Sequence, residues 1–140
     1  MAISKNETKR ILVVEDEVPL QSAVSRKLKQ EGFEVVTVVT AEKALEKLEG
    51  GGSFDLIWLD VMLPGMSGID FLKRVRANSK WKHIAVVIVS NVGSEEVVAQ
   101  AFELEATVFF VKAEHRLTDI ISRVKLIIEL PATDLQGAIA

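Results

Sequence analysis

Asp60 closes the apolar run Phe54-Asp-Leu-Ile-Trp-Leu and opens the polar, turn-rich stretch Val-Met-Leu-Pro-Gly-Met-Ser-Gly. A carboxylate placed where a hydrophobic strand runs out is rigidly held yet reachable, and ligands of parallel sheets bind outside the carboxyl ends of strands. Other apolar runs end in chemistry of their own. Ile11–Val14 is followed by Glu15 and Asp16, Ile84–Val89 by Ser90, and Thr107–Val111 by Lys112. Three carboxylates, a hydroxyl and an ammonium would meet on one edge. Crowded carboxylates raise a pKa or demand a cation. Hard oxygen ligands with room for water suit Mg²⁺, or Mn²⁺ in its place. With lysine and serine holding further oxygens, Asp60 is a candidate nucleophile toward a phosphoryl group.

The elements that must position these residues follow from periodicity. Strands are expected at Ile11–Val14, Val35–Val39, up to Asp60, Ile84–Val89 and Thr107–Val111. Between them lie helical stripes: Leu20, Ala23, Val24 and Leu28; Ala41, Ala44, Leu45 and Leu48; Phe71, Leu72 and Val75; Val97, Val98, Ala101 and Phe102. A fifth stripe, Leu117, Ile120, Ile121, Val124, Ile127 and Ile128, ends before Pro131. Pro19 suits a first helical turn, and Thr40, Ser67 and Ser94 suit N-caps. Gly50-Gly-Gly-Ser53 is short enough to be a loop. Strict βα alternation predicts an α/β fold with a parallel sheet and helices on both faces.

Composition narrows the function class. A chain of 140 residues with 49% hydrophobic and 26% charged side chains reads as one globular domain. The net charge of −3 gives no electrostatic footprint for nucleic acid. No cysteine is present, which excludes disulfides and thiolate metal sites. The polar N-terminus lacks the apolar core of a signal peptide, and no apolar run nears the ~20 residues of a membrane span. The expectation is a cytoplasmic domain over residues 10–130, with flexible ends at 1–9 and 131–140.

The ordered set of strand-end residues resembles a response-regulator receiver domain of two-component systems, similar to the single-domain chemotaxis-type members, from about Arg10 to Glu129. Ile-Leu-Val-Val-Glu-Asp-Glu supplies the acidic pair Glu15 and Asp16, and Asp-Val-Met-Leu-Pro-Gly-Met-Ser-Gly supplies Asp60. The resemblance implies that Asp60 is the phosphoacceptor and that the Met62 main-chain carbonyl joins Glu15, Asp16 and Asp60 as a metal ligand. It makes Ser90 the switch hydroxyl, Lys112 the phosphate-binding lysine and Phe109 the switch aromatic, with Phe110 its adjacent rival. It also implies a flavodoxin-like, doubly wound five-stranded sheet in order 2-1-3-4-5 with five helices. The implied activity is that of a signalling switch, not a separate enzyme. It would take phosphate from a histidine kinase or phosphotransfer protein and act on a downstream protein target, with no direct nucleic-acid or membrane binding. A receiver detached from a larger regulator or hybrid kinase is the alternative. An aspartate-nucleophile phosphatase is disfavoured, because Met62 stands where that class places a second acid.

Taken singly, these residues have ordinary explanations. Glu15, Asp16 and Glu17 could dress a helix N-terminus, and Lys112 could be a solvated charge; only the ordered set points to a site. His83 and His115 read as exposed side chains with no special role. Lys73, Arg74, Arg76, Lys80 and Lys82 read as a solvated face in preference to a docking patch. The chain also departs from the family. Ala113 follows Lys112 where a cis proline is usual, so a trans bond is expected, since a non-proline cis bond costs about 2.5–4 kcal/mol. Asn91 replaces a small residue beside Ser90. Glu105 takes the place of a helix-ending glycine, at a cost of about 1 kcal/mol if left-handed. Thr107 and Val108 replace the acids that one DNA-binding subfamily uses in dimerisation. The resemblance also implies that the positions two after Asp60 and two after Ser90 border the path of attacking water; here they are the apolar Met62 and Val92, which predicts slow self-dephosphorylation.

Overall fold

In the computed structural model, which describes residues 8–129, strands and helices alternate along the chain. They are β1 (Arg10–Val14), α1 (Val18–Gln30), β2 (Glu34–Val38), α2 (Ala41–Glu49), β3 (Leu56–Leu59), α3 (Gly68–Ala77), β4 (Ala85–Ser90), α4 (Glu95–Glu103), β5 (Val108–Val111) and α5 (Leu117–Glu129). Of the two expected flexible ends, residues 1–7 and 131–140 lie outside the described residues, as does residue 130 of the expected domain. The strands form one parallel sheet in the order β2-β1-β3-β4-β5. This is the expected flavodoxin-like order, and it reverses between β1 and β3, where such sheets open a crevice.

Alternation along each strand divides the apolar residues between two cores. Leu12, Val14, Ile57, Leu59, Ile88 and Phe109 pack with α2, α3 and α4. Ile11, Val13, Leu56, Trp58, Val87 and Phe110 pack with α1 and α5. All four residues of β3 are buried, as a strand covered on both faces requires. Adjacent Phe109 and Phe110 thus point to opposite sides, and Phe109 is the one that shares a core with α4.

The helix starts follow the local sequence. The side chains of Thr40, Ser67 and Ser94 accept hydrogen bonds from the backbone N–H groups of Lys43, Asp70 and Val97. Pro19 sits in the first turn of α1. Strand ends differ from the expected limits by one residue, with β2 and β4 each shifted by one and β5 starting after Thr107. Thr107 instead ties β5 to β4: its Oγ1 accepts from the Val86 N–H, and its own N–H donates to the Val86 carbonyl at 2.8 Å.

Two readings need correction. Arg76 is not part of a solvated basic face. Its guanidinium donates to the carbonyls of Lys82, Ile84, Leu104 and Glu105 at 2.8–3.3 Å, joining the ends of α3 and α4 to the start of β4. Burial lowers its pKa, opposed by the Glu105 carboxylate. Glu105 itself is left-handed, with φ at 61°, and the Arg76 contacts to its carbonyl help to hold it there. His115 is the second correction. It is half-buried and meets the Phe110 ring edge-on, centroids 5.1 Å apart. His83, Lys73, Arg74, Lys80 and Lys82 are exposed.

Candidate functional site

Strand register brings the expected residues together. Val14 pairs with Leu59, so Glu15 and Asp60 leave the sheet side by side, and Asp60 extends the ladder through its N–H to the Val14 carbonyl. Ser90 pairs with Val111, placing it beside the residue that precedes Lys112. No peptide bond among the described residues is cis, so Lys112–Ala113 is trans. A 3-10 turn over Lys112–Glu114 follows, and the lysine still reaches the centre of the site.

Asp60 is 4% exposed, and each of its oxygens has a partner. Oδ1 accepts from the Met62 N–H at 3.0 Å, and Oδ2 lies 2.9 Å from Lys112 Nζ. Gly68 allows the loop after Asp60 to fold against the start of α3. A Cβ at Gly68 would collide with the Asp60 carbonyl oxygen, so only glycine permits this approach. From α2, the Glu42 carboxylate accepts from the Met66 N–H at 3.0 Å and steadies the same loop. Gln21 of α1 donates to the carbonyls of Glu15 and Val38, tying the ends of β1 and β2 together.

Glu15 is fully buried, an unusual place for a carboxylate. Oε2 accepts from the Glu17 N–H at 3.0 Å. Oε1 has no hydrogen-bond partner, although Lys112 Nζ lies 3.0 Å away as a charge contact, off the direction a hydrogen bond needs. Burial raises the Glu15 pKa above its ordinary 4.5, helped by the Asp60 charge and opposed by the Glu17 N–H and Lys112. Lys112 shows the converse balance. Burial pulls its pKa down, but the hydrogen bond to Asp60 and the close charges of Asp60 and Glu15 outweigh this and hold it raised.

Ligand oxygens of Glu15, Asp16 and Asp60 lie within 4.8 Å of one another, Asp16 being the exposed member. A buried carboxylate oxygen met by Lys112 as a charge and, among the described residues, by no hydrogen bond, beside two further hard oxygen ligands, fits a divalent cation of the Mg²⁺ type. Ser90 is fully buried, with its Oγ accepting from the Val92 N–H at 3.3 Å. Asn91 is exposed beside it, and Met62, at 61% exposure, stands on the rim.

A family model described as the response regulator receiver domain matches residues 11–125. The chain belongs to that family. Among curated relatives of this receiver domain, the phosphate regulon transcriptional regulatory protein PhoB of Escherichia coli is 36% identical over 119 residues, covering 85% of the chain and 51% of the relative. The sensory transduction protein RegX3 of Mycobacterium tuberculosis is 33% identical over 124 residues, covering 89% of the chain and 52% of the relative. The chain spans about half the length of these curated relatives. Among solved structures, a CheY-like receiver domain protein of Methanospirillum hungatei superposes with a TM-score of 0.81 at 25% identity, covering 88% of this chain and 95% of that one. The chemotaxis response regulator CheY4 of Vibrio cholerae gives 0.78 at 28% identity, covering 86% and 98%.

Three residues that shape the receiver site escaped the sequence reading: Glu17, Gln21 and Glu42. Glu17 carried a visible signal, as the third acid of Glu-Asp-Glu. Gln21 and Glu42 each reach a backbone group on a distant part of the chain, that of Val38 and of Met66, which no spacing displays.

Proposed function

We propose that this receiver domain is a phosphorylation switch in which Asp60 takes a phosphoryl group from a histidine kinase or phosphotransfer protein. The observation that carries this is the setting of Asp60: a buried strand-end carboxylate, gripped by the Met62 N–H and Lys112 Nζ and flanked by Glu15 and Asp16. In the transfer, the bond from phosphorus to the donor nitrogen breaks as a bond from an Asp60 oxygen forms. The departing imidazole keeps the electron pair.

Lys112 has three N–H donors and can turn one from the Asp60 carboxylate to a phosphoryl oxygen. Ser90 accepts from the Val92 N–H, which leaves its own hydroxyl hydrogen free for another phosphoryl oxygen. Glu15, Asp16, Asp60 and the Met62 main-chain carbonyl would hold Mg²⁺ or Mn²⁺, whose charge, when bound, offsets that of the phosphoryl oxygens. Phe109, buried in the core with residues of α4, would respond when Ser90 is drawn toward the phosphoryl group. The altered surface of α4, β5 and α5 would then be read by a downstream protein.

Mass spectrometry after exposure to acetyl phosphate tests this. The wild type should gain one phosphoryl group only with divalent metal, and Asp60→Asn should gain none. Label retained in the Asn variant, or uptake indifferent to chelator, contradicts the proposal. A second reading, a receiver joined to an output domain in the native protein, is favoured by curated relatives about twice as long. The native reading frame decides between them.

A further inference from the structure

Glu17 touches the site from both sides yet belongs to neither partner set. Its backbone N–H holds Glu15 Oε2 at 3.0 Å, while its side-chain Oε1 lies 3.4 Å from Lys112 Nζ. The side chain is 61% exposed and stands outside the Glu15, Asp16 and Asp60 cluster. With every carboxylate ionised, four acids among the described residues therefore face one ammonium. A divalent cation in the cluster would still leave one negative charge uncompensated. Glu17 is the acid that such a cation would not reach.

From this arrangement we infer that Glu17 discriminates among phosphodonors by their charge. Its rim carboxylate repels strongly anionic small donors and leaves the site better suited to donors whose phosphoryl charge is offset by a cationic leaving group, as in a protonated phosphorus–nitrogen donor. The inference rests on the reading of Asp60 as phosphoacceptor. Two donors separate the cases. Acetyl phosphate is a dianion; its bridging oxygen–phosphorus bond breaks, an Asp60 oxygen–phosphorus bond forms, and acetate leaves with the electron pair. Phosphoramidate carries its negative charge partly offset by a protonated nitrogen; its phosphorus–nitrogen bond breaks and ammonia leaves with the pair.

The repulsion of an exposed charge is modest and falls with salt. At low ionic strength, Glu17→Gln should raise the second-order rate constant with acetyl phosphate about 3-fold, and with phosphoramidate less than about 2-fold. Both differences should shrink in high salt. Glu17→Asp, which keeps the charge but shortens the reach to Lys112, should stay with the wild type. Equal gains for both donors, no gain, or an Asp variant that behaves like Gln would overturn the inference while leaving Asp60 as the phosphoacceptor. A wild type that takes no label from either donor in Mg²⁺ would overturn the reading of Asp60, and the inference with it.

Discussion

Around Asp60 the donors are polar, while Met62 and Val92 beside them are apolar, and that contrast governs how long a phosphoryl group would last. An acyl phosphate is lost when water attacks in line, which is faster where a side chain positions that water. Met62 is largely exposed on the rim, and Val92 lies half-buried after Ser90; neither side chain offers water a useful partner. Replacing both, Met62→Asn with Val92→Glu, should shorten the lifetime about 10-fold, equivalent to about 1.4 kcal/mol of barrier. A phosphate-release time course in Mg²⁺ on the two proteins checks this; equal rates would refute it. The residues of the site were legible because each stands where an apolar run ends, a pattern fixed by chain order alone. The burial of Glu15 against Lys112 and the reach of Glu17 to the same lysine were not, because they depend on side-chain directions and on the path of the β1–α1 loop.

Helix ends show the same division. Thr40, Ser67 and Ser94 announce their helices because a cap acts on N–H groups two or three residues away. The end of α4 depends instead on Arg76, twenty-eight positions before Leu104. In sequence Arg76 is one cation among several, since charge spacing does not reveal where the chain turns after α3. Arg76→Ala would strip donors from four carbonyls and free the left-handed Glu105, and should lower stability by about 2–4 kcal/mol in denaturant unfolding. Arg76→Lys should recover little, because a single ammonium cannot span the guanidinium fork. Adding Glu105→Gly to the Ala variant should restore about 1 kcal/mol. Loss below about 0.5 kcal/mol in the Ala variant would return Arg76 to the solvated face.

For the molecule as a whole, the site is a reservoir of instability. The unfolded chain releases the Glu15 proton near 4.5, while the folded chain holds it to higher pH. Folding therefore binds a proton across that window, and this contribution to stability falls as pH rises through it. At neutral pH in chelator, Glu15→Gln should melt above the wild type, at roughly 3–5 °C per kcal/mol recovered. Millimolar Mg²⁺ should raise the wild-type midpoint by mass action, and raise it less in Asp16→Asn. Thermal melts with and without Mg²⁺ measure both; a midpoint that ignores Mg²⁺ counts against the cation site. Beyond stability, the sheet acts as a partition. Phe109 and Phe110 are neighbours in the chain, yet one belongs to the core under α2, α3 and α4 and the other to the core under α1 and α5. Substitutions in separate cores, sharing no side-chain partners, should combine additively. The two halves can therefore diverge independently, one layer repacking under a new partner surface while the other keeps its packing, with the strand ends as their common boundary.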